Sequence, residues 1–236
     1  MWNATGRRPP RIEEIGAEAW AGGAPPAQRG VVVLGTPVGD PAFVQQWLGE
    51  ETAKHRTFLE RIPLVPDVQC AWRLLLMCAS PRVVHTLRNL PPAEAEAFAM
   101  AHDHELTECL ARILHSEVPA AEQEIAQLPF RHGGLGLRSA RRMAPAAYWA
   151  SWADCLSQIH ARAPAVCDRL LADLTRGAQA ASQSVRAAAA AADVVRHEGF
   201  AVPEWPEFRD PYFRAPQPAD RGPRGWRRGW QWVWCS

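Results

Sequence analysis

Lysine is almost absent from this chain of 236 residues: Lys54 is the only one, so nearly all of its 26 basic residues are arginines. Arginine is the better bidentate phosphate ligand. Accompanied by abundant Ala, Pro and Gly, however, the excess matches the codon bias of a GC-rich genome and does not by itself mark a phosphate-binding surface. The net charge is only +1, without the basic excess of a strongly electrostatic nucleic-acid binder. No apolar run approaches the ~20 residues that span a bilayer, and Met1-Trp2-Asn3-Ala4-Thr5-Gly6-Arg7-Arg8 lacks the apolar centre of a secretory signal. An intracellular chain, cytoplasmic or nuclear and without a membrane partner, is expected. No Cys-x-x-Cys pair exists, so Cys70, Cys78, Cys109, Cys155, Cys167 and Cys235 are expected as buried free thiols and not as a metal or disulfide framework. Every aspartate stands alone and no G-x-S-x-G elbow occurs, so no catalytic residue, metal ligand or cofactor is assigned within these residues.

What is present is a chain with 47% hydrophobic residues, long enough for one large domain. Residues 1 to 29 are broken by Pro9-Pro10, Gly22-Gly23 and Pro25-Pro26, and two strands or a strand with an irregular loop fit them better than a helix. From Pro41 to Ile62, Phe43, Val44, Trp47, Leu48, Phe58, Leu59 and Ile62 recur near helical spacing. Asp67 caps a second helix whose Val68, Ala71, Trp72, Leu74, Leu75, Leu76 and Met77 leave almost no polar face, which predicts a central place in the core. The cleanest amphipathic pattern runs from Ala93 to Glu117, and shorter helices are expected over Ala120 to Gln127, from the Ser139 cap onward, and from Pro164 to the Gly177 stop. Residues 178 to 197 are alanine-rich and predict a helix that buries little and stands partly free. From Gly199 on, prolines and arginines dominate, and Trp226, Trp230, Trp232 and Trp234 have no apolar partners in the preceding tail, so a disordered C-terminal tail is expected.

The most informative segment is Gly30-Val31-Val32-Val33-Leu34-Gly35-Thr36-Pro37-Val38-Gly39, followed by Asp40-Pro41 and an amphipathic run. A β-branched strand breaks at glycine, takes a Thr-Pro turn and enters a helix capped by Asp40. The segment resembles the LG-x-x-x-G primer grip of non-LTR retrotransposon reverse transcriptases. Two later stretches extend the resemblance: Ala71-Trp72-Arg73-Leu74-Leu75-Leu76 with Ala79-Ser80-Pro81-Arg82, and Leu128-Pro129-Phe130-Arg131-His132-Gly133-Gly134-Leu135-Gly136-Leu137-Arg138-Ser139-Ala140, which is similar to the P-x-x-x-GGLGL element those polymerases often carry after the thumb. It covers roughly residues 2 to 160. It implies a mainly α fold with a small N-terminal β-hairpin (residues 1–39, the end of a palm and its grip), a helical thumb-like bundle (40–198) and a tail (199–236).

By position, Leu34, Gly35, Thr36 and Pro37 would form the grip, and the partner implied is an RNA/DNA template-primer held by backbone contacts. The family's Mg²⁺-binding Asp-Asp motif lies in a palm that these residues do not contain, so the chain is expected to be a non-catalytic fragment. The densest basic cluster, Arg131, His132, Arg138, Arg141 and Arg142, surrounds the glycines. The glycines themselves favour close backbone packing over a phosphate cradle, while the arginines offer a backbone contact to template or primer. Phe130, Tyr148, Trp149 and Trp152 are either stacking platforms or, for the last three at helical spacing, core. His102 and His104 lie two apart on one helix, which points one inward and one to solvent and argues against a metal site with Glu108. The competing class is a helical protein-interaction module with no nucleic-acid role.

Overall fold

The structure, a computed structural model, describes residues 7–14 and 20–209. The expectation of a disordered tail with four partnerless tryptophans lies outside the described residues from position 210 onward. The fold is mainly α with one small hairpin, as the sequence implies.

Residues 12–14 and 26–28 form single 3₁₀ turns, and the described residues before Gly30 add no strand. The valines form strand β1 (Gly30–Val33), but the chain reverses at Leu34-Gly35 and not at Thr36-Pro37. Strand β2 (Thr36–Gly39) pairs antiparallel with β1, Val33 opposite Thr36 and Gly30 opposite Gly39. Leu34 and Gly35 have φ of 51° and 78°, the two positive values that a type I′ turn needs to match the strand twist. Thr36 and Pro37 therefore belong to the second strand. Pro37 faces Val32, a position where the two-residue loop places no ladder hydrogen bond, so the missing N–H costs nothing.

Asp40 then accepts from the Ala42 amide at 3.0 Å and opens α1 (Pro41–Leu59). Asp67 accepts from the Cys70 amide at 2.7 Å and opens α2 (Val68–Leu74). Pro81 cannot donate to the carbonyl four residues back. The helix first widens into a π turn over Leu75–Ala79, with the Ser80 amide on the Leu75 carbonyl, and then tightens into a 3₁₀ turn over Ser80–Val83. Helices α3 (Val84–Asn89), α4 (Pro92–Leu114), α5 (Ala120–Gln127), α6 (Ala140–Arg162), α7 (Pro164–Arg176) and α8 (Gln183–His197) follow.

The two 23-residue helices α4 and α6 organise three apolar clusters. Val44, Leu48, Val83, Leu87, Phe98 and Met143 join α1, α3, α4 and the start of α6. Leu59, Ala71, Leu75, Leu106, Leu110, Ile113 and Leu137 join the end of α1, α2 and the second half of α4. The third cluster, around Trp149 and Leu156, joins the rest of α6 to α7 and α8.

Three expectations are corrected here. Helix α2 is not central: Ala71, Leu75 and Ala79 face inward, whereas Val68, Leu74 and Met77 are exposed. A helix too short to be enclosed on every side leaves one apolar face open. The alanine-rich α8 does not stand free, because Val185, Ala188, Ala191, Ala192 and Val195 are buried against α6 and α7. Small side chains let the helix backbones approach closely, so alanine buries well although each residue covers little area. The fold also does not stop at Gly199. Trp205 and Phe208 are buried in the third cluster, Phe208 edge-on to Trp149 at 5.9 Å, and Arg209 pairs with Asp168 of α7. Two aromatic rings gain far more from that hydrophobic floor than a proline-rich connection loses.

Candidate nucleic-acid interface

The element after α5 begins with a 3₁₀ turn, Phe130–His132, and doubles back along the helix end. Its amides cap α5. Leu135 and Leu137 both donate to the Ala126 carbonyl, at 3.1 and 3.2 Å, Gly136 donates to Leu128 at 2.9 Å, and Gly134 to Pro129 at 3.3 Å. At Gly134 a Cβ would lie 2.0 Å from the Leu128 carbonyl oxygen and 2.5 Å from that of Ile125, so only glycine fits. Every one of these N–H groups has a protein acceptor, and none is left to cradle a phosphate. Close backbone packing is the geometry found, and it seats Leu135 and Leu137 against the second-half core of α4.

The N-terminus of α6 would be a second natural anion site. It holds an anion already. Asp103 of α4 accepts from the Ser139 hydroxyl at 2.7 Å, the Ala140 amide at 2.6 Å and the Arg141 amide at 3.2 Å, while Ser139 caps the Arg142 amide at 3.2 Å. Burial raises the Asp103 carboxyl above its ordinary value, and these three hydrogen bonds with the Arg141 charge oppose that rise. A carboxylate held this way closes the helix end to any other anion.

Positive charge at this junction is therefore side-chain charge. Arg131 donates to the His132 ring at 3.0 Å, both exposed on the 3₁₀ turn. The Arg138 amide donates to Ser80 at 3.2 Å, which ties the end of the glycine element to the 3₁₀ turn before α3. Arg138 and Arg142 line a pocket of about 180 Å³ whose walls include Gln127, Met143, Glu198 and Phe200. The Ser139 hydroxyl caps the Arg142 amide, and the Arg142 side chain makes no hydrogen bond or ion pair with the described residues.

The four grip-like residues lie elsewhere. His85 of α3 donates through Nε2 to the Leu34 carbonyl at 3.1 Å and lies 3.5 Å from the Thr36 hydroxyl, and Pro37 is buried beside α1. Leu34 is 92% exposed at the tip. A bulky residue held at positive φ with its side chain in water costs about 1–3 kcal/mol without any packing return. The hairpin tip and the arginines thus flank different elements, α3 for the first and the α5–α6 junction for the second.

Sequence reasoning missed Asp103, Glu198, Phe200 and His85, and for Ser80 it missed the contact with Arg138. All five act across long sequence separations, and only the Ser139 cap could have hinted that a neighbouring anion was needed. Tyr148 and Trp149 are core, and Trp152 packs edge-on to Tyr148 at 6.4 Å. Phe130 is exposed, with Trp72 edge-on at 5.7 Å. His102 is buried and His104 exposed. Cys109 and Cys167 are buried, but Cys70, Cys78 and Cys155 are exposed free thiols because they fall on the outer faces of their helices, and Cys235 lies outside the described residues. Among the described residues no helix is long and apolar enough to cross a membrane.

No known family model matches the chain, and no solved structure matches it. Over 79 residues, 34% of the chain, it is 35% identical to the Retrotransposable element SLACS 132 kDa protein of Trypanosoma brucei gambiense. That stretch is 6% of the trypanosome protein, so the chain spans a small part of the curated relative it matches. The similarity relates a third of the chain to a retrotransposon protein.

Proposed function

We propose that this chain is a non-catalytic part of a retrotransposon-derived reverse transcriptase, an RNA-directed DNA polymerase, and that it holds an RNA/DNA template-primer through its grip-like hairpin and thumb-like bundle. The observation that carries this reading is the side-chain charge at the α5–α6 junction. There the backbone donors are internally satisfied, Arg142 has no carboxylate partner among the described residues, and Arg131, Arg138 and Arg141 stand on the same short stretch. The similarity to a retrotransposon protein and the strained, exposed Leu34 support it. Such arginines track phosphates without reading sequence. Magnesium belongs to the palm chemistry of that family and has no place in the roles proposed for these residues.

The test is fluorescence anisotropy with an RNA–DNA hybrid across 50 to 200 mM salt, on the order of a few phosphate contacts being expected from the slope. Replacing Arg131, Arg138, Arg141 and Arg142 with alanine is expected to abolish most of the binding, and affinity that survives this change overturns the assignment. A second reading, a helical protein-interaction module, is favoured by one observation: the exposed apolar Leu74 and Met77, three residues apart on α2 and its π turn. Failure of all nucleic-acid binding, with L74D/M77D abolishing association with a protein partner, would select it.

A further inference from the structure

The pocket beside α6 has a composition that a phosphate site does not explain. Its lining includes the apolar Leu128, Met143 and Ala146 together with Phe200, which is 38% exposed. Arg138 and Arg142 bring positive charge, but Glu198 brings a carboxylate that forms no ion pair with the described residues. A phosphate seated inside the pocket would meet Glu198 by like-charge repulsion. A neutral, planar group that donates hydrogen bonds would not. The volume, about 180 Å³, is also well below the roughly 300 Å³ or more of sites that enclose a whole drug-sized ligand.

We propose that this pocket takes a single unstacked nucleobase of a single-stranded stretch of nucleic acid. The base lies against the Phe200 ring and Met143, its amino-bearing edge faces the acceptors Glu198 and Gln127, and Arg138 and Arg142 engage the phosphates on either side. Aromatic stacking tolerates any base and a guanidinium follows the backbone, which is the chemistry of single-strand binding. The junction where a duplex gives way to a single strand is where such a base is available. The inference rests on the nucleic-acid reading above but adds a contact that a duplex held only by its phosphates does not make.

The experiment uses the full chain and an RNA–DNA hybrid carrying a short single-stranded overhang with one 2-aminopurine, alongside the same hybrid with blunt ends. The overhang is expected to raise affinity over the blunt hybrid, and the 2-aminopurine fluorescence is expected to change on binding at one overhang position only. Phe200→Ala is expected to weaken overhang binding by about 5- to 150-fold, the effect of losing one stacked base, with blunt-hybrid affinity unchanged. Phe200→Tyr keeps the ring and is expected to restore it, which separates stacking from any loss of fold. Equal affinity of wild type for both hybrids, or an unchanged overhang affinity in Phe200→Ala, overturns the pocket while leaving the duplex reading intact. Absence of binding to either hybrid overturns both.

Discussion

Acidification should destabilise this protein through a buried histidine pair. His102 is 3% exposed, and its ring meets that of His55 edge-on at 5.7 Å between centroids, with Phe98, one turn earlier on α4, 5.6 Å from the same His55 ring. Neither ring nitrogen of His102 has a hydrogen-bond partner of proper geometry. Burial, reinforced by the neighbouring His55, lowers the His102 pKa from 6.5 to about 4, and closeness to the Ser80 backbone offsets this only slightly. Burial lowers His55 as well, helped by the Arg82 charge. In the unfolded chain His102 takes its proton near the ordinary value, whereas the fold keeps it neutral down to about 4. Between these two values the unfolded state binds more protons, so stability falls as pH falls through that window and stops falling on this account below it. From pH 7.5 to 4.5 the loss from His102 alone is about 2–3 kcal/mol, or roughly 5–10 °C in Tm for a domain of this size. Asp103 works the other way: burial raises its carboxyl, so the fold gains on its account as pH falls through that raised value. The assay is urea unfolding of wild type and His102→Leu across that range. The variant's curve is expected to be flatter by about 2–3 kcal/mol between the two ends, because the leucine fills the site and cannot titrate. Parallel curves would refute the argument.

Gly134→Ala should destabilise by about 2 kcal/mol or more, read by chemical denaturation, since its Cβ would strike two backbone carbonyls that no rotamer change can move. Leu34→Asn should stabilise by about 0.5–1 kcal/mol by relieving the positive φ, since Asn-Gly is the favoured type I′ pair. If the tip contacts template-primer as proposed, the same variant loses affinity while gaining Tm. Trp205→Ala should cost about 3–5 kcal/mol by opening a cavity between α6 and α7, and a thermal midpoint within a degree or two of wild type would show that the residues after Gly199 do not belong to the fold.

The sequence by itself determined what depends on neighbours a few residues apart. Asp40, Asp67 and Ser139 cap their helices because a short polar side chain reaches its own next amides, and that geometry is local. Helix α5 spans the residues the pattern indicates, and His102 and His104 divide between core and solvent as their spacing requires. The hairpin was legible as a strand and a break, but the place of reversal was not, because Thr-Pro is the commoner turn signal and a leucine at positive φ is rarely met. Tertiary structure decided the rest. Whether an apolar helix is central or open on one side depends on how many neighbours surround it, which is why α2 and the alanine-rich α8 exchanged their expected environments. Trp205 and Phe208 found a floor in α6 and α7 that composition cannot reveal. The interface turned on the same kind of long-range fact. The glycine amides and the α6 N-terminus carry the right groups for an anion in sequence. In the fold the glycine amides are satisfied by the Phe130, Pro129 and Leu128 carbonyls just after α5, and the α6 N-terminus by Asp103, 36 residues before Ser139. A donor can bind a ligand only if the folded chain has not already supplied its acceptor.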